Sequence, residues 1–372
     1  MKILKSMIIF LFCSPFLFAQ DSYPNNEWFE IPTKVKFLDG YEGGTYQNRH
    51  WSRMVYNSID GNMYFYEGYL NSKMQIPQTI YGNTIYKIDL EKKLIEMKVM
   101  SNWKKKEGKD GEWFNESGIE APFDRHTYGC FVYVDKLNGI LMSHGASGGN
   151  SARVQDTWLF SFKENKWEKF PSVGDIPGSN SNFENHLMYL PGDDKVYMTS
   201  RQVKDVILYR HKFGEKEWAK LERMKIEGMQ TGVALWSANG KADTKRKRYV
   251  FIGGSIKDKE GVVTGANKFI VFNFEKESFE TLEPASEEVP AGFIRVPYFV
   301  YDSENDVYIV HANKNEVGTW VFNPNDNKWK KIEVGKGPDG DEFCEYDTKR
   351  KMMIVQNKGK VFGLKLDLKS IK

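Results

Sequence analysis

The chain has 372 residues, with 53 Lys+Arg against 50 Asp+Glu and a formal net charge of +3 at pH 7. So even a balance excludes the basic face that a nucleic-acid binder needs, while the length allows one large core or two domains. Aromatic residues make up 15 % and there are 32 glycines, with few long helical patterns, which favours an all-β class.

Residues 1–20 stand apart. Lys2 and Lys5 give a basic start, Met7–Phe12 and Phe16–Phe18 a short apolar run, and Ala19–Gln20 a cleavage point. The run is short and broken at Ser14–Pro15, so it predicts a signal peptide and no membrane span. The mature part, 21–372, is then expected to be a periplasmic or secreted monomer. Cys13 follows Phe12 rather than the small residue a lipoprotein signal wants, so lipidation is the lesser expectation. Cys130 and Cys344 both lie in apolar strand patterns and read as buried free thiols. The chain has no CxxC and no HExxH, so no metal or other cofactor is expected.

From there one unit recurs. An apolar hairpin appears at Met54–Gly68, Phe131–Gly145, Leu187–Arg201, Ala234–Gly254, Phe299–Ala312 and Cys344–Asn357. Each of the first five is followed by a second hairpin: Thr84–Met97, Thr157–Phe170, Ile207–Leu221, Phe269–Leu282 and Thr319–Ile332. Strand alternation and Asp/Asn/Gly/Lys turns mark both kinds. The sixth copy keeps one further strand, Lys360–Leu368, while EWFEIP at Glu27–Pro32 has the W-x-x-I look of NKWKKI. The prediction is a single β-propeller of six four-stranded blades, closed by the N-terminal strand, which removes the exposed edges. Residues 98–124, containing WKKKEGKDGEW, read as a long loop between the first two blades; a seventh, degenerate blade there is the alternative.

The second copy, with its aromatic before the turn, its glycine after the hairpin and Trp167 in the outer hairpin, resembles kelch-type propellers. The double glycine of that family stands only at Gly253–Gly254; elsewhere Glu67–Gly68, His144–Gly145, Arg201–Gln202 and His311–Ala312 replace it. The fold implied says little of function, because propellers host many activities.

The replacements point to chemistry. If the inner strand of each hairpin ends at the mouth of the central channel, His144, Arg201 and His311 gather there. Arg49–His50, Arg125–His126 and His186 form a second layer from the strand before. Convergent polar groups on one cleft are the usual mark of a site. No paired carboxylates stand out at the repeat ends, which disfavours the usual scheme of glycoside hydrolysis. Proton abstraction next to a carboxylate suits the set: Arg neutralises the acid, and His is base or acid near neutral pH.

The spacing of His126, His144 and Arg201 also resembles that of the propeller-fold ulvan lyases. This resemblance implies β-elimination on an anionic, uronic-acid-containing poly- or oligosaccharide. His126 and His144 would be base and carboxylate ligands, and Arg201 the neutralising charge. Either His186 or Tyr189 would be the acid, and Arg125, Tyr128, His50 and His311 would bind substrate. A sugar leaving group makes the enzyme a polysaccharide lyase; water makes it an oligosaccharide dehydratase. Two other classes stay open. One is a non-catalytic propeller that binds glycan or protein, with Trp51, Trp103 and Trp113 as stacking platforms. The other is a copper radical oxidase using Cys130 and Tyr128, for which the ligand pattern is missing.

Overall fold

A computed structural model describes residues 23–38, 52–67, 81–105, 113–115, 120–123, 125–146, 153–174, 185–201, 206–224, 238–253, 255–257, 263–265, 269–286, 288, 290, 297–312, 317–339, 343–357 and 359–369. The proposed leader, 1–20, lies outside them, as do His50 and Trp51.

One turn rule recurs through the hairpins. An Asp or Asn closes the first strand, and its carboxylate or amide oxygen accepts backbone N–H groups two or three residues on. Asp89 takes the N–H of Lys92, Asp243 that of Arg246, Asp302 that of Glu304 and Asp347 that of Arg350, all at 2.9–3.0 Å. The fourth residue after it turns left-handed: Lys93 (φ 52°), Lys247 (48°), Asp306 (55°) and Lys351 (56°). The chain therefore reverses tightly and the next strand pairs antiparallel.

These hairpins build six four-stranded sheets. Blade 1 comprises Met54–Asn57, Asn62–Glu67, Tyr81–Asp89 and Leu94–Lys105; blade 2, Phe131–Val134, Gly139–Ala146, Arg153–Ser161 and Lys166–Phe170. Blade 3 is His186–Tyr189, Lys195–Arg201, Val206–Lys212 and Ala219–Met224; blade 4, Ala238–Asp243, Arg248–Gly253, Phe269–Asn273 and Ser278–Leu282. Blade 5 is Tyr298–Asp302, Val307–Ala312, Gly318–Asn323 and Lys328–Ile332. Blade 6 takes Cys344–Asp347, Met352–Asn357 and Lys360–Leu364 from one end of the chain and Trp28–Ile31 from the other. Trp28 pairs with Leu364 and Ile31 with Val361, so the N-terminal strand closes the ring as its W-x-x-I pattern predicts.

The first strands touch one another in the order of blades 1 to 6 and back to 1. They are thus the innermost strands of a six-bladed β-propeller. Six apolar clusters lie one between each pair of neighbouring blades. Between blades 4 and 5, for example, Phe269 sits among Phe322, Trp329 and Tyr308. Aromatic side chains fill this wedge because each blade diverges from the next as it leaves the axis.

Three details differ from the sequence reading. Residues 98–124 are not simply a loop: the last strand of blade 1 runs on to Lys105, and Trp113–Asn115 pairs back against Trp103–Lys105. Blade 1 also gains Lys34–Lys36, parallel to Leu94–Glu96. In blade 4 the described first strand is Ala238–Asp243, while residues 234–237 of the expected hairpin lie outside the described residues, and a small hairpin of Ser255–Lys257 with Val263–Gly265 follows the second strand.

Candidate functional site

Antiparallel order sorts the ring into two faces. One carries the turns between first and second strands and between third and fourth. The other carries the connections from second to third strand and from blade to blade. Each described histidine proposed for the site, His126, His144, His186 and His311, starts a first strand, precedes one, or lies near the end of a second strand, so these four belong to the connection face.

Blades 2 and 3 bring most of them together. His144, near the end of the second strand of blade 2, has φ 51° and the next residue, Gly145, φ 131°. A Cβ on Gly145 would strike the carbonyl of His126, so the 125–128 segment lies directly on 144–145. Only glycine permits that approach. A single parallel bridge joins Gly129 to His186, and a Cβ on Gly129 would run into the His186 ring. His126, His144 and His186 therefore share one rim. Arg201 ends the second strand of blade 3 opposite Val206, two residues past Thr199, the partner of His186. Its side chain lies outside those described.

The local chemistry differs among them. The His144 imidazole is fully buried, its Nδ1 2.7 Å from Ser143 Oγ, which in turn lies 2.7 Å from Thr157 Oγ1. Burial drives its pKa down to about 4, against an opposing pull from the Gly174 backbone, so it is neutral at pH 7. His186 is also buried, edge-on to Phe251 at 5.0 Å. His126 is only half-buried, with its ring 5.8 Å from that of Tyr128, itself half-buried in the left-handed region (φ 48°). Of these three histidines it is the one that solvent reaches.

Arg125 is locked inside. Its side chain is 0 % exposed; Nη1 is 2.6 Å from the Asp156 carboxylate and Nε donates to the Phe123 carbonyl at 2.9 Å. Trp158 Nε1 donates to the other Asp156 oxygen at 2.7 Å. Burial would raise the Asp156 carboxyl, but the guanidinium outweighs it and holds the pKa below the usual range. Arg125 thus has an internal partner where the sequence reading gave it to substrate.

Two other candidates fall elsewhere. Tyr189 ends its strand at the turn face, three residues from His186, and its hydroxyl donates to Asp135. Burial and then that carboxylate push its pKa up. His311 belongs to blade 5, across the ring from blade 2. It is buried against Trp28 at 4.8 Å, with Nδ1 2.8 Å from Thr319 Oγ1, and burial lowers its pKa to about 4. For His311 the reason is that the first strand is innermost, so the second strand's end sits one layer out, not at the channel mouth; Tyr189 is on an innermost strand but at its turn-face end.

Among the described residues no group of three His, Cys, Asp or Glu side chains is placed to hold a metal. Cys130 and Cys344 are buried free thiols; burial pushes both pKa values up. Cys344 sits between inner strands, taking the Phe299 N–H at 3.1 Å. No helix among the described residues is long and apolar enough to cross a membrane.

What sequence reasoning missed is the channel itself. The inner strands carry Tyr56, Tyr133, Tyr189, Tyr301 and Tyr346 at one register position; blade 4 has Ala242 there. These six residues line an axial cavity of about 300 Å³ together with Arg53, Lys241 and Glu345. The signal was legible as a tyrosine two or three residues into five of the six hairpins.

No protein-family model matches the chain, and no curated protein matches it. Solved structures do. An α-L-arabinofuranosidase from Fusarium graminearum, with an iminosugar inhibitor bound, has TM-score 0.55 and 12 % identity over 92 % of this chain and 99 % of that one. Auxiliary nutrient-binding proteins from Bacteroides thetaiotaomicron (TM-score 0.52, 8 % identity) and Bacteroides ovatus (0.50, 11 %) each match over 90 % of this chain and 75 % of theirs. At these identities the likeness is one of fold.

Proposed function

We propose that the protein acts on uronic-acid-containing glycans by β-elimination at the rim of blades 2 and 3. The observation that carries this reading is the close packing of His126 on Gly145 and of Gly129 on His186, which draws three histidines from two blades to one edge. The accessible imidazole, His126, takes the C5 proton. Arg201 neutralises the substrate carboxylate, so that the carbanion formed is stabilised as it develops. The C4–O bond breaks as C4=C5 forms, and the leaving oxygen receives a proton from Tyr128, which stands beside His126. His144 is a positioning residue: buried and neutral, it fixes the turn at Gly145 that His126 rests on. With a sugar leaving group the protein is a polysaccharide lyase; with water, a dehydratase of oligosaccharide ends. A sugar-cleaving enzyme among the fold neighbours is compatible with a glycan substrate and gives no reaction type.

The test is absorbance of the unsaturated uronate during incubation with ulvan and with uronate-terminated oligosaccharides. Turnover that disappears in His126→Ala supports the reading; no rise with either substrate between pH 5 and 9 overturns it for those substrates.

The burial of His144, His186 and Arg125 favours a second reading, a secreted propeller that binds glycan without turning it over. It predicts binding of the same oligosaccharides unaltered by His126→Ala.

A further inference from the structure

The axial cavity has the form of a cup. Its mouth is on the turn face, at Ser58, Ser303 and Thr348, the opposite side from the rim just discussed. Its wall is the tyrosine collar. Its floor is crossed by Arg53, which precedes the inner strand of blade 1 and reaches over the ring to blade 4, where Nη2 donates to the Ala238 carbonyl at 2.6 Å. Lys241 of blade 4 likewise spans to blade 6, meeting Glu345 at 2.7 Å and the Cys344 carbonyl at 3.0 Å.

Charge in the cup is uneven. Lys241 and Glu345 neutralise each other. Asp135 at the rim accepts from the Tyr189 hydroxyl and the Gly192 N–H. Arg53 is 7 % exposed, its one hydrogen bond goes to a neutral carbonyl, and Nη1 has no hydrogen-bond partner among the described residues. A buried guanidinium with no ion pair among the described residues carries a desolvation cost that an anion would offset.

The collar is also incomplete. Blade 4 has Gly240 and Ala242 where other blades have bulk, and Tyr249 from the next strand leans over Gly240, its hydroxyl donating to the Gly240 carbonyl at 3.0 Å. The gap at Ala242 leaves a notch beside Lys241. A cup of about 300 Å³ stands at the small end of ligand pockets. Aromatic walls suit the C–H faces of a sugar ring, and the tyrosine hydroxyls, Lys241 and Glu345 suit its hydroxyls.

We propose that this cup is a binding site for a small polyhydroxy carboxylate, one sugar acid in size, whose carboxylate is held by Arg53 and whose ring rests against the collar. It stands on the channel geometry and not on the elimination reaction, and involves none of the residues assigned to that reaction.

The experiment is calorimetric titration of the full chain with D-glucuronate, with D-glucose as the neutral partner of equal size. Arg53→Gln removes the charge; Ala242→Tyr completes the collar and shuts the notch. Tyrosine fits that register, since blade 5 holds Tyr301 and Tyr308 at the positions of Ala242 and Tyr249. Glucuronate is expected to bind and glucose not, and each variant to weaken glucuronate by at least about tenfold, Arg53→Gln through loss of a charged hydrogen bond and Ala242→Tyr through loss of room. Thermal unfolding confirms that each variant is folded. If Arg53→Gln fails to fold, Ala242→Tyr alone decides. Equal affinity for glucose, no binding of glucuronate, or a glucuronate affinity unchanged in Ala242→Tyr each overturns the proposal. Elimination activity in Ala242→Tyr should remain at the native rate, so loss of the cup and failure of the rim chemistry are read separately.

Discussion

Asp156→Ala tests how the rim of blades 2 and 3 is held. Arg125 is wholly buried, and its guanidinium keeps Asp156 as its only anionic partner among the described residues. Breaking a buried pair from one side costs about 3–5 kcal/mol, because a charge is left uncompensated. Asp156 is 46 % exposed, so water screens part of this and enters once the carboxylate is gone; about 2 kcal/mol is the discounted figure. For a domain of this length that lowers the melting temperature by about 3 °C. The effect should not stop at stability. Arg125 adjoins His126, whose carbonyl packs on Gly145, so turnover should drop more than the stability loss explains. Arg125→Met/Asp156→Ala removes both charges and should recover most of the melting temperature while leaving turnover low. Calorimetry with the absorbance assay measures both. An Asp156→Ala protein with native melting temperature refutes the burial argument. A double variant less stable than Asp156→Ala refutes the charge argument.

Gly129→Ala places a methyl against the His186 ring and should cost about 1–3 kcal/mol in urea denaturation, while Gly174→Ala, with open space around it, should cost only its backbone strain at φ 74°. Lys351→Gly relieves a left-handed lysine and should stabilise by about 0.5–1 kcal/mol, visible as a higher urea midpoint at unchanged slope. His144 and His311 have folded pKa values of about 4, below an ordinary imidazole near 6.5. Their contribution is therefore present above about pH 6.5 and lost as pH falls toward 4, by up to roughly 3 kcal/mol each. Urea midpoints at pH 7, 5.5 and 4.5 should fall accordingly, and His311→Gln should flatten the slope.

The fold was readable because its information is local and repeated. Most hairpins state their turn through an Asp or Asn followed by a left-handed residue, and the strands state their faces through alternation. Ring closure was readable from a mismatch, one strand lacking in blade 6 and a matching W-x-x-I at Trp28–Ile31. Residues 98–105 look like loop in sequence because Lys104, Lys105 and the glycines beyond weaken the strand pattern. What holds that strand straight is pairing with Trp113–Asn115, which no local signal announces.

The site was readable only in part, because a strand's sequence does not say how far from the axis it lies. His144 and His311 both stand near the ends of second strands, and the repeat in sequence gives them one role, yet the register makes Ser143, paired with Thr157, the counterpart of His311, paired with Thr319, and sets His144 one residue further on. Neighbours then divide them: His311 meets Trp28 from the closing strand, and His144 meets Ser143 and Thr157 beneath the His126 segment. Tyr189 shows the opposite case. Its spacing to Arg201 puts it near the candidate acid, yet three residues of extended strand, about 10 Å, carry it to the other face. The same displacement places it in the collar, as Tyr56, Tyr133, Tyr301 and Tyr346 are placed, and so a residue expected as an acid at one mouth of the channel lines the wall at the other.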